Sequence, residues 1–251
     1  MTTSEYDRLV AEGMAAPVEG WDFSWLAGRV EGSDPSWSYR DLARAHLASA
    51  ERVLDIDTGG GELLASLGPP PSRTWASEGW PPNFEVARRR LEPLGVNVIA
   101  APDPDKLPIS DASVDLVLNR HGRLVAPEIK RVLRPAGVLL TQQVGSEDCA
   151  ALNNWLAAPP MRPPDSWTLR TAHEALSAVG LRPTITHEER PLFTFHDIGA
   201  VIYHLRLVTW QIPDFSPELY DAPLRRLHEH LHDTDRLDVK AHRFLVVAER
   251  L

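Results

Sequence analysis

Residues 52–67 read RVLDIDTGGGELLASL: an apolar run, three glycines and a helix-like segment. The run within Arg52–Asp57 predicts a short strand, and Glu62–Leu67 predicts a helix. A glycine turn between them lets a ligand approach the backbone closely, because glycine has no Cβ and tolerates positive φ. The dinucleotide fingerprint G-x-G-x-x-G, started at Gly59, would need glycine where Leu64 stands. The stretch therefore predicts a ligand-binding strand, turn and helix, and it disfavours a nicotinamide or flavin dinucleotide.

Short apolar strands alternate with helical segments from residue 52 to residue 144. The predicted strands are 52–57, 74–77, 96–100, 114–119 and 137–144, and the predicted helices are 62–67, 83–94 and 127–133. This alternation favours an α/β fold with a parallel, doubly wound sheet and right-handed crossovers. In such a fold, the ligand crevice lies at the carboxyl ends of the strands.

Beyond the proline-rich segment 159–164, the patterns change to helices flanked by two further strands. We predict helices over 171–179, 197–210 and 217–232, and strands over 182–189 and 242–249. The segment between these two strands is too long for a hairpin loop, so we expect a helical insertion that helps to close an acceptor pocket. The prediction is one domain over 1–251: an N-terminal helical cap (1–50), a cofactor-binding core (51–190), the helical insertion (191–240) and the last strand (241–251).

The predicted cap carries five aromatic residues. They are Trp21, Phe23, Trp25, Trp37 and Tyr39. These side chains either fix the cap to the core or line an acceptor pocket, and their positions in the sequence fit both roles.

Composition restricts the partners of the chain. Its 251 residues carry a net charge of −9, which gives no overall attraction to a phosphate backbone, so nucleic acid is a disfavoured partner. The single cysteine, Cys149, indicates a reducing compartment. The N-terminus lacks the pattern of a signal peptide, and no stretch has the roughly 18 apolar residues of a spanning helix. We therefore expect a cytoplasmic protein without a membrane anchor.

Four segments together resemble one family. Over Arg52–Gly145, the order and spacing of these segments resemble those of class I S-adenosylmethionine-dependent methyltransferases of the type 11-like group. The segments are the glycine turn, Glu78 after the second strand, LPISDASVDLV at 107–117, which leads into the fourth strand, and RVLRPAGVL at 131–139, which crosses from a helix to the fifth strand. The resemblance implies a Rossmann-like, mostly parallel seven-stranded sheet, the cofactor S-adenosyl-L-methionine and methyl transfer. It also implies that Glu78 accepts hydrogen bonds from the ribose hydroxyls and that Asp103 faces the adenine amine.

The resemblance assigns a set of cofactor-binding residues. They are Asp55, Asp57, Thr58, Gly59, Gly61, Glu78, Gly79, Asp103, Lys106, Leu107 and Asn119. Asp57 departs from the family, which usually has its first glycine there, although Asp tolerates left-handed backbone geometry better than most residues. One hypothesis is that its carboxylate faces the ammonium or sulfonium charge of the cofactor. The alternatives are a hydrogen-bonded turn residue, or an obstruction that weakens cofactor binding or abolishes transfer.

Methyl transfer needs alignment more than it needs a catalytic residue, because the sulfonium is already activated. If a base exists, we expect it in the loop after the fourth strand, where His121 has a suitable pKa. The candidate acceptor-binding residues are Arg120, His121, Gln143, His196 and Tyr203, with packing or surface roles as the alternative. His228, His230 and His232 invite a metal site, but Glu229, Asp233 and Asp235 beside them favour a solvated face, so no metal is predicted.

The predicted function is S-adenosylmethionine-dependent methylation of a small molecule at oxygen, nitrogen or carbon. The acidic balance, the lack of a nucleic-acid module and the aromatic content of the cap and insertion favour a small acceptor. One alternative is an RNA or protein methyltransferase, which would need a basic or extended docking face. Another is a non-catalytic S-adenosylmethionine-binding partner of a complex, which Asp57 would favour.

Overall fold

The computed structural model describes residues 4–18, 23–70, 72–103 and 105–251. The helices are α1 (Glu5–Ala15), α2 (Tyr39–Leu47), α3 (Glu62–Leu67), α4 (Pro81–Leu91), α5 (Ala126–Val132), α6 (Ala150–Leu156), α7 (Leu169–Ala178), α8 (Ile198–Leu207) and α9 (Asp221–Thr234). The strands are β1 (Val30–Gly32), β2 (Val53–Ile56), β3 (Thr74–Glu78), β4 (Asn97–Ala100), β5 (Val114–Arg120), β6 (Leu133–Val144), β7 (Leu181–Glu189), β8 (Leu192–Phe195), β9 (Leu237–Lys240) and β10 (Arg243–Arg250). No helix in these ranges is both long enough and apolar enough to cross a membrane.

The contacts divide the chain into two compact units. The sheet unit contains Ser36–Gly145, Trp167–Glu188 and Arg243–Leu251, and the cap unit contains Met1–Pro35, Ser146–Ser166 and Glu189–His242.

The sheet unit is built on seven strands in the order β4-β3-β2-β5-β6-β10-β7. Strands β2 to β6 pair in parallel, with Leu54 beside Val117 in the β2–β5 pair. Strand β10 runs antiparallel to β6. The α/β architecture, the mostly parallel seven-stranded sheet and its Rossmann-like order are therefore confirmed.

Alternate residues of the central strands point to opposite faces of the sheet, and each face has its own apolar core. On β2 and β5, Leu54 and Val117 belong to one core, whereas Val53 and Leu116 belong to the other. All four side chains are buried. Burial on both faces explains why these strands are continuous apolar runs in the sequence, and it makes the carboxyl-terminal edge of the sheet a rigid base for loops.

The cap unit has a separate core and a small antiparallel sheet in the order β1-β8-β9. Helices α1 and α8 approach each other closely, since a Cβ on Gly13 would lie 2.6 Å from the carbonyl oxygen of Gly199. Helices α6 and α9 contribute Leu152 and Leu227 to the same core.

Several elements differ from the predictions. The region 191–240 contains the predicted helices but also strands β8 and β9, and helices α1 and α6 and strand β1 were not predicted. The sheet unit includes 36–50, because Tyr39 and Ala43 of α2 pack on the sheet, and it leaves out 146–166, which packs in the core of the cap unit. The single domain over 1–251 stays a prediction. Trp21, one of the aromatic residues of the predicted cap, lies outside the described residues.

Candidate functional site

The glycine turn after β2 depends on left-handed backbone conformations. Asp57, Gly59 and Gly61 have φ angles of 53°, 63° and 77°. Gly61 caps the amino end of α3, and a side chain there would collide with Leu91. The turn is tied to the neighbouring strand β3, because the Thr58 backbone N–H donates to the Ser77 carbonyl over 2.9 Å. The tight turn thus keeps its backbone close to the end of β3.

Glu78 ends β3 beside this turn, and its side chain is buried. Oε2 accepts the Gly59 backbone N–H over 2.8 Å, and Oε1 accepts the Trp80 backbone N–H over 2.7 Å. Desolvation raises the pKa of Glu78 above its usual value, although these backbone hydrogen bonds oppose the rise. Each carboxylate oxygen has a second lone pair, so the group can still accept hydrogen bonds from two hydroxyls.

Asp55 lies below the same turn. The Thr58 hydroxyl donates to its Oδ2 over 2.7 Å. Burial raises the pKa of Asp55 to about 7, the Thr58 hydrogen bond lowers it, and the charges of Asp57 and Glu78 raise it further. Three carboxyl groups therefore surround the turn, and the site favours a cation.

Arg123 already supplies a cation to this cluster. Its Nε and Nη2 donate to the two carboxylate oxygens of Asp57 over 3.1 and 3.0 Å, and its backbone N–H donates to Oδ2 over 2.8 Å. Hydrogen bonding to Asp57 raises the pKa of the guanidinium. The loop after β5, through Arg123, thus holds the Asp57 carboxylate in place. The hypothesis that this carboxylate faces the cofactor stays a prediction.

Gly79 and the chain after β4 form the far side of the site. A Cβ on Gly79 would lie 2.5 Å from Nη2 of Arg123 and 2.7 Å from the Ala101 carbonyl oxygen, so only glycine fits. Asp103 is exposed, and its Oδ1 accepts the Asp105 backbone N–H over 3.0 Å.

Lys106 and Leu107 follow on this segment. The Lys106 side chain is exposed, whereas Leu107 is buried and its backbone N–H donates to Oε2 of Glu128 over 2.8 Å. That N–H is therefore already used within the protein, and a contact of Leu107 with the cofactor would be made by its apolar side chain.

Asn119, at the end of β5, is fully buried at the centre of a polar network. Its Oδ1 accepts hydrogen bonds from the Thr141 hydroxyl (2.8 Å) and from the Gln143 amide (2.6 Å), and its Nδ2 donates to the carbonyl oxygens of Ile56 and Arg123 over 3.4 Å. Gln143 is buried too. Both predicted ligand-binding amides therefore join the ends of β2, β5 and β6, and their ligand contacts stay predictions.

His121 has a left-handed backbone, with φ of 62°, and follows the exposed Arg120. Its Nε2 lies 2.9 Å from Nε2 of Gln142, and the Gln142 Oε1 accepts the indole N–H of Trp37 over 2.7 Å. The indole can only donate, so it fixes the orientation of the amide, and the amide nitrogen then donates to His121. His121 is therefore neutral, with its proton on Nδ1. Desolvation, followed by the charges of Arg120 and Arg243, lowers the pKa of His121 well below its usual value.

The remaining predicted acceptor residues belong to the cap unit. Tyr203 is buried, and its hydroxyl donates to the Pro17 carbonyl over 3.0 Å. Nδ1 of His196 lies 2.9 Å from the Asp235 carbonyl oxygen, and Nε2 lies 3.4 Å from Glu31. The structure therefore places both in packing or surface contacts within that unit. No group of three or more metal-ligating side chains occurs in the described part of the chain.

Sequence reasoning missed Arg123 and the pair formed by Trp37 and Gln142. One signal was available for Arg123: an acid in a glycine motif needs a cation, and Arg123 lies in the loop that contains the candidate base. The Trp37 contact carries no such signal, since 105 residues separate it from Gln142.

The comparisons with known proteins agree with this geometry. Residues 54–141 match the family model of the methyltransferase domain. A protein of unknown function from Deinococcus radiodurans R1 superposes with a TM-score of 0.59 at 17% identity, covering 98% of this chain and 99% of the other. A proposed methyltransferase of Bacillus halodurans C-125 has a TM-score of 0.57 at 16% identity, covering 83% and 97%. Geranyl diphosphate methyltransferase, in complex with GPP and sinefungin, has a TM-score of 0.51 at 15% identity, covering 84% and 77%.

No curated protein is similar enough to match the chain. The family match covers β2 to β6, which include the glycine turn and Glu78, and the solved structures share the fold. Over residues 54–141 the chain is therefore similar to the methyltransferase domain family, and its fold is that of the solved structures.

Proposed function

We propose that this protein is an S-adenosylmethionine-dependent methyltransferase that acts on a small-molecule acceptor at oxygen, nitrogen or carbon. The observation that carries the proposal is the burial and hydrogen bonding of the Glu78 carboxylate. A buried carboxylate, oriented by two backbone N–H groups at the end of a parallel strand, keeps one lone pair on each oxygen for a vicinal diol. The ribose of the cofactor presents such a diol.

The other residues of the site also fit this cofactor. Gly59 and Gly61 keep the turn narrow, and Gly79 leaves free the space where a Cβ would collide with Arg123 and the Ala101 carbonyl oxygen. The carboxyl groups of Asp55 and Asp57 suit a cationic ligand. Asp103 follows β4 along the chain, and in the proposed arrangement it would accept a hydrogen bond from the adenine amine. When bound, the cofactor supplies a methyl group already activated by its sulfonium.

His121 acts, in this proposal, as a hydrogen-bond donor to the acceptor and not as a general base. Its Nε2 lone pair is used by the Gln142 amide, and its Nδ1 has no hydrogen-bond partner among the described residues. An accessible N–H suits an acceptor with a lone-pair atom near the reacting centre. We therefore expect His121→Ala to raise KM for the acceptor more than it lowers kcat; a large loss of kcat with a normal KM would contradict the donor role.

The small size of the acceptor is proposed from the acidic balance of the chain. A net charge of −9 opposes docking of RNA, and the described elements of the sheet unit include no added nucleic-acid module. Titration of RNA against cofactor-loaded protein at low salt tests this part. Binding that falls steeply with salt would favour an RNA methyltransferase instead.

Calorimetric titration with S-adenosylmethionine and S-adenosylhomocysteine tests the cofactor site. We expect Glu78→Ala to weaken both affinities at least tenfold, because two hydrogen bonds to a charged acceptor are lost, each contributing ~1.5–3 kcal/mol. Glu85→Ala removes an exposed carboxylate from α4 and is the matched control, with unchanged affinity expected. Equal binding by wild type and Glu78→Ala would contradict the assignment. Binding without turnover on a broad acceptor panel would favour a non-catalytic partner protein.

A further inference from the structure

We propose that Arg123 closes the nucleoside-binding part of the cofactor site, and that the cofactor must displace its guanidinium to bind. The inference rests on the proposed function, since it concerns the same site. It assigns Arg123 a role that also accounts for Asp57, the acid in place of the family's usual glycine.

The Arg123 guanidinium occupies the space beside Asp57 and Gly79. Nη2 of Arg123 lies 3.0 Å from Oδ1 of Asp57 and 3.5 Å from the carbonyl oxygen of Ala101, and it would be only 2.5 Å from a Cβ on Gly79. The group therefore spans from the turn after β2 to the ends of β3 and β4. Those are the elements that carry the proposed contacts to ribose and adenine, so a nucleoside and the guanidinium cannot occupy this space together.

The Arg123 side chain is held by an ion pair in which the cation is the more exposed partner. Asp57 is mostly buried, with 17% of its side chain exposed, whereas 44% of the Arg123 side chain is exposed. Water competes for the exposed guanidinium, and exposed ion pairs contribute about 0.2–1 kcal/mol in measured cases, but a bidentate pair with a mostly buried carboxylate contributes more. The guanidinium can move to solvent, while the Arg123 backbone N–H keeps its own hydrogen bond to Asp57.

The charge balance of the site determines which ligands can replace the guanidinium. When the guanidinium moves away, Asp57 loses its cation beside Asp55 and Glu78, which both already have raised pKa values. A ligand that carries an ammonium and a sulfonium restores the lost charge, whereas a neutral nucleoside does not. Displacement is thus favoured by the cationic cofactor, and Arg123 selects against uncharged nucleosides.

Binding of two probes, adenosine and S-adenosylhomocysteine, to wild type and Arg123→Ala tests the inference. Adenosine has no carboxylate that Arg123 could bind, so it reports closure alone. We expect Arg123→Ala to bind adenosine about fivefold more tightly, which corresponds to ~1 kcal/mol. We also expect higher salt to strengthen adenosine binding by wild type but not by Arg123→Ala. Arg88→Ala, which removes an exposed arginine from α4, is the control of equal charge.

Each result decides between the possibilities. Unchanged or weaker adenosine binding by Arg123→Ala overturns closure, and weaker binding of S-adenosylhomocysteine alone would make Arg123 a ligand of its carboxylate instead. If neither probe binds to wild type or to either folded variant, as checked by thermal unfolding, the proposed function fails and this inference fails with it. If both probes bind with equal affinity to all three proteins, only the inference fails.

Discussion

Trp37 donates its indole N–H to Oε1 of Gln142 over 2.7 Å, and this contact determines which nitrogen of His121 carries a proton. The relationship crosses from the segment before α2 to β6, and His187 stacks on the Trp37 ring at a centroid distance of 5.6 Å. Trp37, which lies outside the glycine turn, thereby determines the protonation of the candidate acceptor-binding residue His121.

Replacing Trp37 should change the tautomer of His121. In wild type we expect a protonated Nδ1 and an unprotonated Nε2 in long-range ¹H–¹⁵N NMR spectra at pH 7. In Trp37→Phe the Gln142 amide can rotate its oxygen toward His121, so the Nε2–H tautomer should gain population. Trp167→Phe, a replacement at a ring that packs on Phe244, should leave the tautomer unchanged. A protonated Nε2 in wild type would contradict the assignment.

Asp55 should make folding stability depend on pH. A carboxyl group whose pKa rises on folding, from 3.8 to about 7, lowers stability progressively as pH increases across that interval, because the folded chain binds the proton more tightly. Asp55→Asn keeps an acceptor for Thr58 and removes the charge, so it should be more stable than wild type at pH 8, by at most ~4 kcal/mol, and gain little at pH 4. Urea unfolding at both pH values measures this.

The control for Asp55 is Asp41→Asn, a replacement of an exposed carboxylate on α2. Its effect on the free energy of unfolding should be small at both pH values. An Asp55→Asn effect that is equal at pH 4 and pH 8 would show that Asp55 does not titrate in this interval.

Removing Asp115 should destabilise the sheet unit. Its carboxylate accepts the backbone N–H groups of Glu51 and Arg52, each over 2.9 Å, and pairs with Arg134 at 2.9 Å. Asp115→Ala leaves those donors without their acceptor at a mostly buried position, so we expect a loss of about 3 kcal/mol. Asp111→Ala, which removes a carboxylate whose side chain is 78% exposed, should cost less than ~1 kcal/mol. Similar midpoints of urea unfolding for the two variants would contradict the prediction.

Gly13 offers a test in the cap unit where packing opposes helix propensity. Alanine is favoured over glycine by ~1 kcal/mol inside a helix, so Gly13→Ala would stabilise an isolated α1. Here the new Cβ would lie 2.6 Å from the Gly199 carbonyl oxygen, and we expect a net loss of about 2 kcal/mol. Met14→Ala, at the exposed neighbouring position, should be nearly neutral in thermal unfolding. A stabilised Gly13→Ala would show that α1 and α8 can separate without cost.

Much of the sheet unit was predictable because its signals are local. The buried strands β2 and β5 are continuous apolar runs, and the glycines that follow β2 indicate where that strand ends. The strands of the cap unit gave no comparable signal, since Val30 pairs with Phe195, 165 positions further along the chain, and each strand is only three or four residues long. Helix α1 does carry local signals that the prediction did not use: Ser4 caps its amino end, and Tyr6 and Leu9 are buried at helical spacing.

The sequence by itself determined the α/β class, the glycine turn and the acid at the end of β3, because chain neighbours and strict periodicity produce them. Only the tertiary structure decided which charges meet. Asp57 and Arg123 are 66 positions apart, and the folding of β2 beside β5 brings their loops together. The same is true of Trp37 and Gln142. Coulomb and hydrogen-bond energies depend on distance in space, over a few ångströms, and not on separation along the chain. The packing of the sheet, and not any local motif, therefore determines which residues from different strands become partners.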